Sequence, residues 1–303
     1  MIDWFVYWFM FPACIVIASL AMLTGISGTS MLTPFLILVF PLLGIPVLTP
    51  AQAIGMALLT EFFGFISGVV GYHRRRLIDY RTGWKLIAVA VPAIVLFSFL
   101  SQYTPSDILK IAYGIMMILL AAYLSFSAPS SIRNAHLRIL PKAVALIPRL
   151  REAKEERVIK SRDGMEYRYR VCDQLGGNLI TAAGASMEGL VSVGLGELEM
   201  PNLVKRCKIP VAVSAATSVF VIAVTVLSGS ITAVLVLISN GGVNAVPWNL
   251  VIYTVPGAVI GGQLGSRFQG RISSEKMERF ISILFAVVGI AFLIASAKTL
   301  LRY

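Results

Sequence analysis

The sequence predicts an all-α integral membrane protein made of two inverted repeats. Each repeat has about four transmembrane helices and a short re-entrant or broken segment. Three observations predict this: two very long stretches without charge, positive charge gathered in a few loops, and an order of motifs that recurs in the second half. Only 14% of the 303 residues are charged and 57% are hydrophobic, against about 25% charged in a soluble domain. From Trp4 to Thr60, and again from Ile209 to Ser266, there is no Asp, Glu, Lys, Arg or His. A span needs about 20 mostly apolar residues, so each stretch is long enough for two.

In chain order the apolar segments fall at 4–24, 31–43, 50–72, 84–100, 107–126, 178–195, 209–239, 248–266 and 278–298. They are long and lack period-two alternation, which indicates helices rather than strands. The first has no basic residue ahead of it, only Asp3, so it is expected to be a retained span and not a cleaved signal peptide. The segment at 31–43 is short and punctuated by Pro34 and Pro41, with Pro46 and Pro50 beyond it; Pro201, Pro210, Pro247 and Pro256 punctuate the second half. Residues 127–177 carry eleven Lys or Arg against six acids and form the one sizeable soluble piece. There Asp163-Gly164 is a hairpin signal and Met165 to Val171 alternates, so a β-hairpin is expected after a charged helix around 142–156. The organisation expected is therefore a first membrane repeat at 1–126, a linker at 127–177 and a second repeat at 178–303.

The net charge of +11 would suggest nucleic acid on a soluble protein. Here the positive charge lies at 73–83, in the linker, at Lys205, Arg206 and Lys208, and at Arg267, Arg271, Lys276 and Arg279. The loops near 44–49, 101–106 and 240–247 have no Lys or Arg. The positive-inside rule places every basic cluster in the cytoplasm and both termini outside, in the inner membrane. That path requires the 31–43 segment, and a shorter one after Gly196, to return the chain across part of the bilayer. Cys14, Cys172 and Cys207 have no metal-ligand spacing and are read as unpaired thiols; no cofactor and no metal is expected.

The two halves align in order. Gly25 to Pro34 lies over Ser192 to Pro201, Ile45-Pro46 over Ile209-Pro210, and Ala53–Ala57 over Ser214–Ser218. Ser67-Gly68 lies over Ser228-Gly229, and Trp84 and Pro92 over Trp248 and Pro256. Inverted repeats give many secondary transporters two interconvertible faces, with the site near the midplane where the repeats meet. At these residues the sequence resembles the sulfite exporter TauE/SafE family, which is marked by a glycine-rich break before a proline and then a Thr-Ser, occurring twice. The corresponding segments are GISGTSMLTP at 25–34, AIGMA at 53–57, VGLGELEMP at 193–201 and AATS at 215–218. Ser27, Thr29 and Ser30 stand where the family has small or apolar residues, Leu195 replaces a glycine, and Met56-Ala57 replaces the first Thr-Ser. The resemblance implies export or import of small sulfur-containing anions such as sulfite or organosulfonates.

An anion leaving water needs donors that replace its hydration. Free N–H groups where a helix begins, and nearby hydroxyls, supply them without fixed charge. Ser27, Gly28, Thr29 and Ser30 are therefore expected on one side of a substrate site, with an ordinary capped helix start as the alternative. Gly194 and Gly196, with Thr217 and Ser218, form the matching side, although such hydroxyls also bond back to their own helix. Gln52 and Gln263, amides within apolar runs, are expected to line the path or bridge helices. Glu61, Glu188 and Glu197 lie inside spans or breaks, where a bare carboxylate is costly, and are the expected proton carriers. Glu199 is expected to pair with Lys205 or Arg206 near the interface. Arg74, Arg75, Lys205 and Arg206 are expected to gather anions at the cytoplasmic mouth.

The expected function is secondary active transport of a small anion, coupled to protons or other ions. A channel stays open as an alternative. An intramembrane enzyme is weaker: the GxSG at 25–28 would need a histidine on a later membrane helix, and His73 and His136 lie at a span end and in the linker. There is no Walker-type loop. The chain is expected not to be an enzyme, its partners being the anion and the bilayer, with no nucleic acid and with a homodimer left open.

Overall fold

A computed structural model describes residues 5–127, 156–170, 174–268 and 274–300. Helix α1 (Met10–Thr24) ends at Gly25, whose φ of 71° is left-handed and whose N–H donates to Ala21 O. After a four-residue break, Gly25 to Gly28, the short α2 (Thr29–Leu42) begins. Pro34 lies inside it and a π turn, Phe35–Val39, follows at once. A proline has no N–H and its ring crowds the carbonyl four residues back, so the helical register slips there. Helix α3 (Pro50–Arg75) starts with Pro50 at its first position and a capping box between Thr49 and Gln52. Its 26 residues rise about 39 Å, more than the roughly 30 Å hydrocarbon core. It ends at Arg76 with His73, Arg74 and Arg75 in its last turn, where positive charge suits the helix dipole. Helix α4 (Tyr80–Tyr103) is capped by Asp79 and α5 (Ser106–Ser127) follows.

The second half repeats this order. Helix α6 (Gln174–Val191) ends at Ser192, with φ of 53°. Helix α7 (Leu195–Pro201) runs into a π turn, Asn202–Arg206, again directly after a proline. Then come α8 (Val211–Gly241), α9 (Trp248–Phe268) and α10 (Ser274–Leu300). Among the described residues five helices, α3, α4, α5, α8 and α10, are long and apolar enough to cross a membrane. Between the halves, β1 (Glu156–Lys160) pairs antiparallel with β2 (Glu166–Arg170), and Gly164 in the turn has φ of 80°. The charged helix expected around 142–156 falls outside the described residues, apart from Glu156, which begins β1.

The packing has the two-fold pattern of inverted repeats. Matching the helices of the two halves in order turns the α1–α9 contact into α6–α4 and α3–α9 into α8–α4, while α3–α8 and α5–α10 map onto themselves; all six pack extensively. Registers give the directions. On α5 and α10, Gly114 faces Leu293, Ile118 faces Gly289 and Ser125 bonds Ser282, so the two run antiparallel. Gly55 faces Ala233 and Leu58 faces Gly229, so α3 and α8 are also antiparallel. On α1 and α9 the carbonyls of Phe11, Ile15 and Ser19 face Gly257, Gly261 and Gly265 in parallel, each within 2.6 Å of where a glycine Cβ would stand. Small residues at this spacing let two backbones touch, as membrane helices without a hydrophobic drive between them require.

Loop contacts sort the ends of the bundle. Gln52 Nε2 donates to Ala245 O (3.0 Å) and Gln102 Nε2 to Ala51 O (3.4 Å), joining the three loops poor in basic residues. At the opposite end Arg75 Nη1 donates to Ser266 O (3.2 Å) and Asp79 N to Thr217 Oγ1 (3.0 Å), among the basic clusters. The hairpin is docked at that end. Asp79, 6% exposed, accepts from Arg157 Nη1 on both oxygens (3.0 and 2.8 Å) and from the Tyr169 hydroxyl (2.9 Å). Arg162 N and Ser161 Oγ both donate to Arg75 O. Tyr169 is buried in the same apolar cluster as Leu203, Ile209 and Val213 of the second half. The hairpin is thus bonded to the first repeat, and Tyr169 joins an apolar cluster drawn from both.

Candidate functional site

The two breaks meet in the middle of the bundle. Each follows a residue with left-handed backbone, Gly25 or Ser192, that turns the chain out of one helix and toward the next. They lie against one another: a Cβ on Gly196 would stand 2.5 Å from Ser27 N, and Thr33 Oγ1 lies 2.6 Å from Ser192 Oγ. Gly194, with φ of 133°, has a backbone that a residue with a side chain rarely adopts.

Around this crossing the structure gathers three carboxyls from three helices. Glu61 comes from α3, Glu188 from α6 and Glu197 from α7, and all are buried. Glu61 Oε1 accepts from Gly28 N (2.6 Å), Glu188 Oε2 from Leu195 N (3.0 Å) and Glu197 Oε2 from Gly194 N (3.0 Å). The backbone donors at the two breaks are therefore engaged by the protein's own carboxyls. Ser27 Oγ lies 2.7 Å from Glu61 Oε1, 2.8 Å from Glu188 Oε1 and 2.5 Å from Thr29 Oγ1. Thr29 Oγ1 is in turn 2.7 Å from Glu188 Oε1. These are four oxygen–oxygen contacts of hydrogen-bond length, and a hydroxyl carries one proton. Ser27 and Thr29 supply two protons for four contacts. Among the described residues Glu61 Oε2 and Glu197 Oε1 have no hydrogen-bond partner.

The other expected site residues fall in three places. Ser30 belongs to the crossing: its hydroxyl donates to Ser27 O (2.7 Å) and its carbonyl accepts from the buried Tyr113 hydroxyl (3.0 Å). Gln52 lies at the loop end, in the cap of α3 and bonded to Ala245. Thr217 lies at the basic end, bonded to Asp79 N, while Ser218 is buried and its Oγ has no partner among the described residues. Gln263 bridges α9 to α3 through Ser67 O (2.6 Å). Arg74 is exposed and Arg75 is tied to Ser266 O. Arg206 lies against Gly176 at the start of α6, and the Lys205 side chain is outside what is described. Glu199 is fully buried and accepts from Thr181 Oγ1, while the expected pairing with Lys205 involves a side chain outside the described residues. The sequence offered Thr181 only as a hydroxyl on the preceding apolar segment. Cys14 is a free buried thiol, whereas Cys207 is in a disulfide, which corrects the expectation of three unpaired thiols.

Two cavities frame the crossing. One of about 20 Å³ is lined by Glu61, Gly28, Thr60 and Cys14, room for about one water. The other, about 340 Å³, lies at the loop end and is lined by Ile37, Pro41, Thr49, Lys110 and Phe292. Phe292 lies against Tyr113 with ring centroids 4.6 Å apart, so one aromatic layer separates this cleft from Ser30.

The profile of the sulfite exporter TauE/SafE family matches residues 10–292, both repeats and the linker together. The chain is 26% identical over 242 residues to a Bacillus subtilis (strain 168) protein described as "Probable membrane transporter protein YunE", covering 80% of each. No solved structure matches. With its paired glycine breaks, short proline-bearing helices and match across nearly the whole chain, this multi-pass membrane protein belongs to the sulfite exporter TauE/SafE family of membrane transporters.

Proposed function

We propose that the chain is a secondary active transporter that moves small sulfur-containing anions, sulfite, an organosulfonate or a related species, across the cytoplasmic membrane with protons as the coupling ion. The observation that carries this reading is the crossing of the breaks, where carboxyls from both repeats share the Ser27 hydroxyl and Glu188 also reaches Thr29. Ser27 and Thr29 bring two protons to four contacts, so a proton taken up by Glu61 or Glu188 changes which of these contacts are hydrogen bonds. Intramembrane carboxyls grouped in this way are the usual material of proton relays. Ser27, Gly28, Thr29 and Ser30, with Gly194 and Glu197, supply the polar surface. Gly196 lets the two breaks approach.

The basic end faces the cytoplasm and both termini lie outside, because the loops at that end hold the clustered Lys and Arg. Arg74 and Arg206 gather anions there. The cleft beside Lys110 is the outer approach to the crossing. The test is proteoliposome flux of a labelled sulfonate. Glu61→Gln keeps the shape of the side chain but cannot take up or release a proton. Flux driven by a proton gradient should collapse in this variant while exchange at equal pH survives. Equal gradient-driven rates in wild type and Glu61→Gln would remove Glu61 from the coupling.

A further inference from the structure

Four of the donors an anion would use at the crossing are already engaged. Gly28 N–H and Leu195 N–H, with the hydroxyls of Ser27 and Thr29, all lie on Glu61 or Glu188. The space beside them is about 20 Å³, enough for a water and several times too small for a sulfonate. An anion cannot be added to this crossing; it has to replace something. The groups it can replace are the carboxyls, which present oxygen to the same donors as a sulfonate does. Glu61 Oε2, buried and without a partner among the described residues, marks a carboxyl that turns without breaking a second bond at that oxygen, whereas Glu188 holds donors on both of its oxygens.

We propose that the transported anion and the carboxyls of Glu61 and Glu188 compete for one donor set, so that the anion loads only onto the protonated protein and protons and anion move in the same direction. This rests on the reading of the site given above. A carboxylate holds two charge-assisted hydrogen bonds far more strongly than a neutral carboxyl does. It would also repel an anion placed beside it. Protonation removes both obstacles at once: the neutral carboxyl releases its donors, the anion accepts them, and the buried charge stays near what it was. By reciprocity, the anion then raises the affinity for protons by the factor by which protons raise the affinity for the anion. The other ionisable groups near the crossing are Glu197 on α7, Tyr113 on α5 and Cys14 on α1. Glu199 is bonded to Thr181. Helix α8 has no ionisable residue, and α9 has only Tyr253 before Arg267.

The experiment measures binding to the full-length protein in nanodiscs by calorimetry. Methanesulfonate and thiosulfate are the probes, because their charge is constant from mildly acid to mildly alkaline pH. Competition predicts that the apparent Kd rises with pH, by about tenfold per pH unit for each coupled proton. Glu61→Gln and Glu188→Gln should each flatten the slope by one proton and tighten binding on the alkaline side. A merely structural role for these residues would weaken binding at every pH and leave the slope alone. Binding of either probe with a Kd independent of pH, or falling as pH rises, overturns the competition and leaves the transport reading standing. If neither probe binds or is transported at any pH, the substrate class fails and the inference falls with it.

Discussion

Asp79→Asn should loosen the hairpin from the bundle. The Asp79 carboxylate takes two contacts from Arg157 Nη1, two from Thr82 (N at 3.1 Å, Oγ1 at 2.6 Å) and one from Tyr169. The two charged side chains are 12% and 6% exposed. Asparagine keeps the shape but turns one acceptor into a donor and removes the charge, leaving Arg157 buried opposite a neutral group. Removing one partner of such a pair costs about 3 kcal/mol. At about 1.4 kcal/mol per factor of ten, the docking equilibrium of the hairpin falls roughly a hundredfold. A two-stranded hairpin is marginal on its own in water, so undocking also frees its ladder. Hydrogen–deuterium exchange over residues 156–170 reads this directly, and Arg162 N, which donates to Arg75 O (3.1 Å), is the most direct reporter. Protection in Asp79→Asn equal to wild type would refute the clasp. Its pH dependence has a defined sign. Burial pushes the Asp79 carboxyl up, but the bonds from Thr82 and Tyr169 and the Arg157 charge outweigh it and hold the pKa below the ordinary carboxylate value. A lowered pKa stabilises the docked form above the unfolded pKa of about 3.9. That contribution is lost only as pH falls through the lower, folded value. Protection should therefore be level from neutral to mildly acid pH and fall only in strong acid.

Gly261→Leu places a Cβ 2.5 Å from Ile15 O, on a backbone contact that cannot give way. It should part α1 from α9 and abolish the monodisperse peak in size-exclusion chromatography, whereas Gly177→Ala, whose Cβ would meet nothing nearer than 3.8 Å, should leave that peak in place. In a cysteine-free background, Cys at Asn244 should react with an impermeant thiol reagent from outside the cell, and Cys at Arg162 only after permeabilisation. The reverse pattern would overturn the orientation.

The breaks were legible because their causes are local. Gly25, Gly28 and Gly194 interrupt apolar runs, and Pro34 and Pro201 recur at matching distance, so both short helices could be placed from the residues alone. Asp163-Gly164 gave the hairpin turn for the same reason. The meeting of Glu61 with Glu188 was not legible, since the two are far apart in sequence and only the packing of α2 on α3 and the crossing of the two breaks decide how near they come. The same holds for Thr217. Its hydroxyl lies in the second copy of the repeat motif, yet it bonds Asp79 at the basic end, because α8 begins there and the motif falls in its first two turns. Gln52 was read as an amide along the path, but a glutamine three residues after Thr49 at a helix start has a local partner, and the cap took it.

The crossing of α5 and α10 has a geometric consequence. Gly114 meets Gly289 O and Gly289 meets Gly114 O, so each repeat offers the other the same atoms at the same place, and the pseudo-two-fold axis passes between them. A point on a symmetry axis is carried onto itself. In the proposed transport cycle, if the two halves trade conformations, this contact would serve as the fulcrum of the exchange, with displacement growing with distance from it. Two glycines suit a fulcrum, because backbone can roll on backbone there with no side chain to unlock.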